Sequence, residues 1–341
     1  MRVLVVKTSS MGDVVHTLPA LTDARRARSD IVFDWVVEEA FAPIVERHPA
    51  VERVLPCALR RWRKHPVRAW RSGEWHAFRG QLQAYDYDAV IDAQGLMKSA
   101  FLVRRARGPG YGLDRDSARE PRSARALDVA LKVARGQHAV ARVRQLFART
   151  LNYEEPSGPP DYGLGRTAEN RRGDGTPRLI FIHGTTWATK HWPLDYWQML
   201  TDRATGDGFR VLLPWGTAEE RTRAEAIASA SSAAEVMPRQ GLGELLDTLV
   251  ELDGFVAVDT GLAHLAAACD LPGVALYGPT DPALTGVTGR HVTSLAAAFP
   301  CAPCLQKTCT YRGELGKGVN PPCFSTVLPE QVWRQWREQA R

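Results

Sequence analysis

Two doubly wound α/β domains in series are predicted by three features of this chain. Short apolar runs alternate with longer amphipathic stretches from end to end, the rhythm of parallel sheets covered by helices. A polar stretch rich in Pro and Gly interrupts that rhythm near the middle, and the rhythm then restarts. The length, 341 residues, exceeds one typical compact domain and suits two. With 44% hydrophobic and 24% charged residues, each half can bury a core of its own.

In the first domain, 1–155, the apolar runs place strands at 3–6, 31–37, 53–56 and 89–92. Helices are expected to start near Gly12, Glu38, Glu74, Leu96 and Ala139. Residues 156–177 read as a linker, because the stretch around Glu154-Glu155-Pro156-Ser157-Gly158-Pro159-Pro160 has little to bury. The second domain, 178–328, carries strands at 179–183, 210–214, 255–259 and 274–277. Its helices are expected at 194–204, 218–228, 242–249 and 262–268. A last helix, 329–341, puts Val332, Trp333 and Trp336 on one side. No internal sequence repeat is visible, yet the two halves read as similar folds. Such a pair leaves an interdomain cleft at the carboxyl ends of the sheets, where ligands bind.

The formal charge is +6 and the sequence pI is near 9.1. Much of the excess lies in Arg60-Arg61-Trp62-Arg63-Lys64-His65 and between Arg104 and Arg125. A basic face attracts nucleic acid, acidic lipid headgroups or anionic substrates, although a merely solvated positive surface is commoner. No stretch approaches the roughly 20 apolar residues that span a bilayer. Met1-Arg2 leads into a short apolar run rather than a signal peptide, so a cytosolic protein is expected. Cys301, Cys304, Cys309 and Cys323 are bunched, which in a reducing compartment suggests metal ligation more than disulfides.

Three post-strand turns carry the candidate chemistry. Lys7-Thr8-Ser9-Ser10-Met11-Gly12-Asp13 lacks both the dinucleotide-binding glycine pattern and the P-loop pattern. It ends in a carboxylate that a helix N-terminus keeps ionised and that can take a proton from an attacking hydroxyl. The ordinary alternative is that Asp13 only caps the helix. His183-Gly184-Thr185-Thr186-Trp187-Ala188-Thr189-Lys190 offers hydroxyls and an ammonium group to a polyphosphate, or is a plain connecting loop. Asp259-Thr260-Gly261-Leu262-Ala263-His264 opens another helix, whose free N–H groups suit a pyrophosphate, with Asp259 or His264 on a ribose or phosphate. The Asp-Thr-Gly turn alone is also a common strand terminator. Anion sites in both halves imply a nucleotide-linked substrate.

The opening run from Met1 to Ala20 resembles lipopolysaccharide heptosyltransferase I, in glycosyltransferase family nine. So do 33–39, 60–64, 87–96, Ala118-Arg119-Glu120-Pro121, Gln137-His138-Ala139-Val140, Lys190-His191-Trp192-Pro193 and 259–262, in order along the chain. The resemblance implies the GT-B architecture of two Rossmann-like domains. It also implies inverting transfer from ADP-L-glycero-D-manno-heptose to the first Kdo of Kdo2-lipid A, with no metal in the chemistry. By that resemblance Asp13 is the general base, and Thr185, Thr186 and Lys190 meet the donor phosphates. Asp259, Thr260, Gly261 and His264 line the nucleotide side, and Glu220 holds the ribose. Ser9, Ser10, Gly12, Arg60, Arg61, Arg63, Lys64 and Arg119 take the acceptor.

A cytoplasmic enzyme peripheral on the anionic inner leaflet follows from that reading. After Asp281 the chain departs from the heptosyltransferase I pattern. The cysteine spacing resembles clusters elsewhere in the wider family and gives a possible structural Zn or Fe site at Cys301, Cys304, Cys309 and Cys323. The rivals are a transferase acting on a later core heptose or on a protein, and a nucleotide-sugar-binding protein on a worn-out transferase fold. Nucleic-acid binding is disfavoured because no recognisable module interleaves aromatics with the charge.

Overall fold

The computed structural model describes residues 1–165 and 175–340 and divides into two compact units, Met1–Gly163 and Leu164–Arg341. The expected linker, 156–177, falls partly outside the described residues.

In the first unit β1 (Arg2–Val6), β2 (Val32–Glu38), β3 (Val51–Cys57), β4 (Ala89–Asp92), β5 (Gly110–Leu113) and β6 (Val129–Leu131) form one sheet. Every pairing is parallel and the order is β3-β2-β1-β4-β5-β6. Parallel strands are covered on both faces, which is why β1 is a continuous apolar run with Val3, Leu4, Val5 and Val6 all fully buried. The helices are α1 (Met11–Val15), α2 (Leu18–Ala27), α3 (Ala42–Glu46), α4 (Leu59–Lys64), α5 (Pro66–Arg71), α6 (Glu74–Leu82), α7 (Met97–Val103) and α8 (Ala139–Leu151). Val140, Val143, Leu146, Phe147 and Leu151 form the buried stripe of α8, spaced at three and four residues. Arg144 on that stripe is compensated by a two-pronged pair with Asp23 at 2.6 and 3.1 Å.

The second unit repeats the plan. Its strands are β7 (Arg178–Ile182), β8 (Arg210–Leu213), β9 (Ala234–Val236), β10 (Gly254–Val258), β11 (Gly273–Tyr277) and β12 (Val292–Ala296), again all parallel. The order β12-β11-β10-β7-β8-β9 is the same topology as in the first unit. Its helices are α9 (Leu194–Gly206), α10 (Ala218–Ala228), α11 (Leu242–Leu249), α12 (Gly261–Ala268), α13 (Pro282–Thr285) and α14 (Pro329–Gln339). Val332, Trp333 and Trp336 of α14 are buried as its periodicity predicts. The Trp336 ring lies 5.2 Å from both Phe209 and Trp333. A Cβ at Gly254 would sit 2.6 Å from Trp336 Nε1, so that glycine admits the helix onto the sheet.

The eight expected strands are all present. The sequence does not foretell β5, β6, β9 and β12, because the first three are very short and β12 is only half buried. The helix expected near Glu38 begins directly after β2 as a 3-10 turn at Glu39–Phe41 and continues as α3 from Ala42, with Pro43 in its first turn. The basic stretch at 60–64 is helical as well, and Pro66 opens a second short helix behind it. In each sheet the winding direction reverses between two central strands, β1 and β4 in one and β7 and β10 in the other. Loops that leave the carboxyl ends of such neighbours splay apart and make a crevice.

Candidate active site

At the first crevice β1 is followed by Lys7, whose ammonium group is buried and donates to the Ala93 carbonyl at 2.9 Å. Lys7 Nζ lies 3.8 Å from Asp13 Oδ1. The other carboxylate oxygen accepts from the Ser10 amide at 2.9 Å and the Ser10 hydroxyl at 2.7 Å. Burial pushes the Asp13 pKa up, but Lys7 and the two Ser10 donors outweigh it and hold the group below the ordinary 3.8. Asp13 is therefore an ionised carboxylate at neutral pH, with its side chain 44% exposed to whatever enters. It is also the third residue of α1 and bonds back to the helix cap, so capping and a base role are compatible.

A cavity of about 430 Å³ opens on this carboxylate, lined among others by Ser9, Ser10, Lys98, Arg119 and Arg142. The Ser9 hydroxyl accepts from Lys98 Nζ at 2.7 Å, and its carbonyl accepts from Gln94 Nε2 at 2.7 Å. Gln94 Oε1 in turn takes the Thr8 amide and hydroxyl at 2.9 and 2.8 Å. Asp92 anchors that turn, accepting from the amides of Gln94 and Gly95 and from Ser99. Gly12 lies inside α1, where its carbonyl accepts the His16 amide at 2.8 Å. Cations around one carboxylate suit an anionic substrate that brings a hydroxyl group.

Arg60, Arg61 and Lys64 line a different cavity, also of about 430 Å³, and share no lining residue with the first. Arg61 is engaged there by Glu74 at 2.7 and 2.9 Å and by Glu39 at 3.3 Å. Its charge is already met. Arg63 is exposed on α4 and lines neither cavity. Arg119 joins the Asp13 cavity instead.

In the second unit Asp259 follows β10, and its Oδ2 accepts from Lys190 Nζ at 2.7 Å and Thr280 Oγ1 at 2.7 Å. Thr185 Oγ1 donates to the Asp259 carbonyl at 3.2 Å, which pins the 183–193 loop to the turn before α12. Lys190 also lies 4.6 Å from the centre of the Trp187 ring. Pairing and ring contact fix the ammonium while leaving it 15% exposed. Thr186 is exposed, and Thr260 and Gly261 open α12, an eight-residue helix whose N-cap hydroxyl makes no cap bond among the described residues. Its first-turn N–H groups point an uncapped positive end at this turn. His264 is buried one turn further on.

Glu220 closes a capping box on α10, accepting from the Gly216 and Thr217 amides at 2.8 and 3.2 Å. A Cβ at Gly184 would meet its Oε1 at 2.6 Å, so the carboxylate reaches the phosphate-seeking loop. His183 is pushed down to about 4 by burial, with Arg223 and His191 adding to the effect, and is neutral at pH 7. It supports the loop rather than lending it charge.

The cysteine expectation is not supported. Among the described residues no group of three or more His, Cys, Asp or Glu side chains is arranged to hold a metal ion. Cys301 is exposed, Cys304 and Cys309 are half-buried, and Cys323 is buried, all as free thiols. Burial and the three neighbouring thiols push Cys323 up to about 11, so it is a protonated core side chain.

Lys7, Gln94, Lys98, Arg142 and Thr280 complete the two sites; the sequence alone reads Lys98 as more a surface charge than an acceptor contact and gives the other four no role. Four of these follow strands or begin helices beside the crevices, so the rule that function gathers after strands applies to them too. Arg142 comes from α8, distant in sequence, and only the fold brings it in.

The sequence profile of the family described as glycosyltransferase family 9 (heptosyltransferase) matches residues 75–314. The chain is 53% identical over 343 aligned positions to lipopolysaccharide heptosyltransferase 1 of Pseudomonas aeruginosa, covering 98% of this chain and 97% of that protein. Among solved structures, Escherichia coli heptosyltransferase WaaC with ADP superposes with a TM-score of 0.87 at 42% identity, covering 99% of this chain and all of that one. The same enzyme with ADP-2-deoxy-2-fluoro heptose gives 0.83 at 42% identity, over 99% of each chain. The two parallel-sheet units are of the GT-B type, and the chain belongs to glycosyltransferase family 9, the heptosyltransferases.

Proposed function

We propose that this chain is an inverting heptosyltransferase of lipopolysaccharide inner-core synthesis, moving L-glycero-D-manno-heptose from ADP-heptose to a Kdo hydroxyl of Kdo2-lipid A. The observation that carries the reading is Asp13, an ionised and accessible carboxylate in a cavity ringed by cations. Kdo bears a carboxylate, so Lys98, Arg119 and Arg142 suit the acceptor as Asp13 suits its hydroxyl. Ser9, Ser10 and Gly12 shape the same turn, and Arg60, Arg63 and Lys64 extend the basic face toward the lipid A phosphates. Support for the donor comes from the family and from the ADP-heptose analogue held by the E. coli relative.

In this mechanism the acceptor hydroxyl gives its proton to Asp13 and attacks the anomeric carbon from the face opposite the leaving group. The bond to the diphosphate breaks, and configuration inverts. Lys190, Thr185, Thr186 and the α12 N-terminus at Thr260 and Gly261 offset charge on departing ADP, which needs no metal in this account. Asp259 holds Lys190 in place, while Glu220 and His264 serve the nucleoside side. A lipid-anchored acceptor puts the reaction at a membrane surface. No helix among the described residues is long and apolar enough to cross a membrane, and the reading is of peripheral attachment at the cytoplasmic face of the inner membrane. Turnover of ADP-heptose with Kdo2-lipid A, followed by loss of turnover in Asp13→Asn, tests the assignment. Full activity in that variant refutes it.

A further inference from the structure

Behind the α4 cations assigned to the acceptor, α5 carries side chains that the transfer reaction does not use. From Ala58 to Gly73 the chain has Arg60, Arg61, Arg63, Lys64, Arg68 and Arg71 and no acidic residue. Arg61 is neutralised by Glu39 and Glu74, but no ion pair engages Arg63, Lys64, Arg68 or Arg71 among the described residues. Between these cations Val67 is 67% exposed and Trp70 is 64% exposed. The two are three residues apart and share one face of α5. The opposite face holds the buried Ala69.

Among the described residues Trp70 is the only exposed tryptophan of the ten in the chain. Its neighbour Trp62 shows what a structural tryptophan does in the same stretch. Trp62 donates to Glu74 at 2.8 Å and packs on Trp75 and Phe78 at 5.9 and 5.4 Å, which fastens α4 to α6. Trp70 has no such burial. A large amphipathic ring and a branched aliphatic group held outward, with unpaired cations on either side, match the water–hydrocarbon boundary of an anionic bilayer. The open hollow beside them, lined by His65, Arg68, Arg71 and Ser72, offers donors at the depth of headgroup phosphates.

The geometry points to α4–α5 as an interfacial anchor that binds an anionic lipid bilayer directly, with Val67 and Trp70 in the acyl boundary and Arg68 and Arg71 on headgroup phosphates. This rests on the peripheral attachment proposed above and adds that the attachment is independent of the acceptor. A second copy of the chain is a poor occupant, since a self-complementary contact would bring two unneutralised basic runs together. A nucleic-acid strand is poor as well, because it wants several stacking rings and α5 exposes one.

The test uses the full chain and vesicles containing no acceptor: phosphatidylethanolamine with phosphatidylglycerol, against phosphatidylcholine. Co-sedimentation of the wild type should favour the anionic vesicles and weaken with salt. Each cation near the surface is worth about fivefold in partition, so R68E/R71E should lose at least about 25-fold. V67S/W70S should lose about tenfold on anionic vesicles and keep its salt dependence. Both variants change exposed side chains and should retain the wild-type Tm and turnover of detergent-dispersed acceptor. The proposal is overturned if both variants bind vesicles like the wild type, if phosphatidylcholine binds equally well, or if an oligonucleotide displaces the vesicles stoichiometrically. Vesicle binding without any heptosyl transfer would support the anchor and sink the enzymatic reading. Transfer without vesicle binding would do the reverse.

Discussion

Asp13→Asn separates a catalytic carboxylate from a capping one, because the geometry makes the two contributions unequal. The two bonds from Ser10 both end on Oδ2, at 2.9 and 2.7 Å, and an amide oxygen accepts them as well. The helix start is therefore retained. What disappears is the negative charge 3.8 Å from Lys7 Nζ and the capacity to take a proton. At that separation a charge pair is worth about 4 kcal/mol at an effective dielectric of ~20 and about 1 kcal/mol in water. With the Asp13 side chain 44% exposed, the lower figure governs. Stability should change by no more than about 1 kcal/mol, a shift of a few degrees in Tm. Loss of a general base costs about 10²–10⁴ in rate, equivalent to about 3–5 kcal/mol of barrier. Initial rates of ADP release at saturating donor and acceptor, with ADP affinity by calorimetry and Tm by thermal melt, separate these effects. The expected result is a collapse in kcat with ADP binding and Tm nearly unchanged. An Asp13→Asn variant running within a few-fold of wild type would leave Asp13 as a helix cap.

Lys190→Ala should impair donor use more than acceptor use, raising the KM for ADP-heptose and lowering kcat, and equal effects on both substrates would contradict its place at the phosphates. Lys7→Met removes the foremost charge that holds the Asp13 pKa down against burial, so that pKa rises. A base works only when deprotonated, so the acid limb of kcat/KM should move to higher pH in the variant. A limb that stays put or moves down would show that Asp13 is not the titrating group. Prolonged EDTA treatment and the C301S/C304S pair should leave turnover and Tm within error of wild type, as no metal-holding cluster is arranged there among the described residues. Loss of either would restore the structural metal. Gly254→Ala should destabilise the second unit by about 1–3 kcal/mol, since its Cβ would press on Trp336 and on the Pro272 carbonyl at 2.6 and 2.8 Å. Unchanged thermal stability would mean that α14 can move away.

The fold is legible in the sequence because fully buried parallel strands announce themselves. Val3-Leu4-Val5-Val6 and Phe255-Val256-Ala257-Val258 admit no other simple reading. Short edge strands such as Val129–Leu131, largely exposed, carry no such run and leave no signal. Capping chemistry marks the start of α10, where Thr217 and Glu220 lock the first turn. The helical state of Leu59–Lys64 is hidden, because a run of cations looks the same in a loop and on a helix surface. In the sites, residues that follow strands can be named from spacing. Their partners cannot: that Asp259 holds Lys190, or that Lys7 faces Asp13, depends on which strands are neighbours. The cysteine spacing does bring thiols together, since Cys301, Cys304 and Cys309 are near enough to Cys323 to raise its pKa. Nearness does not fix ligand geometry, and among the described residues no group is arranged there to hold a metal ion.

The most direct test of the central claim is a mass measurement. Purified chain is incubated with ADP-heptose and Kdo2-lipid A, and the lipid product is weighed by mass spectrometry alongside released ADP. The account predicts a gain of one heptose per acceptor, matched by one ADP. An unmodified acceptor, with ADP either not released or released by hydrolysis alone, would contradict it.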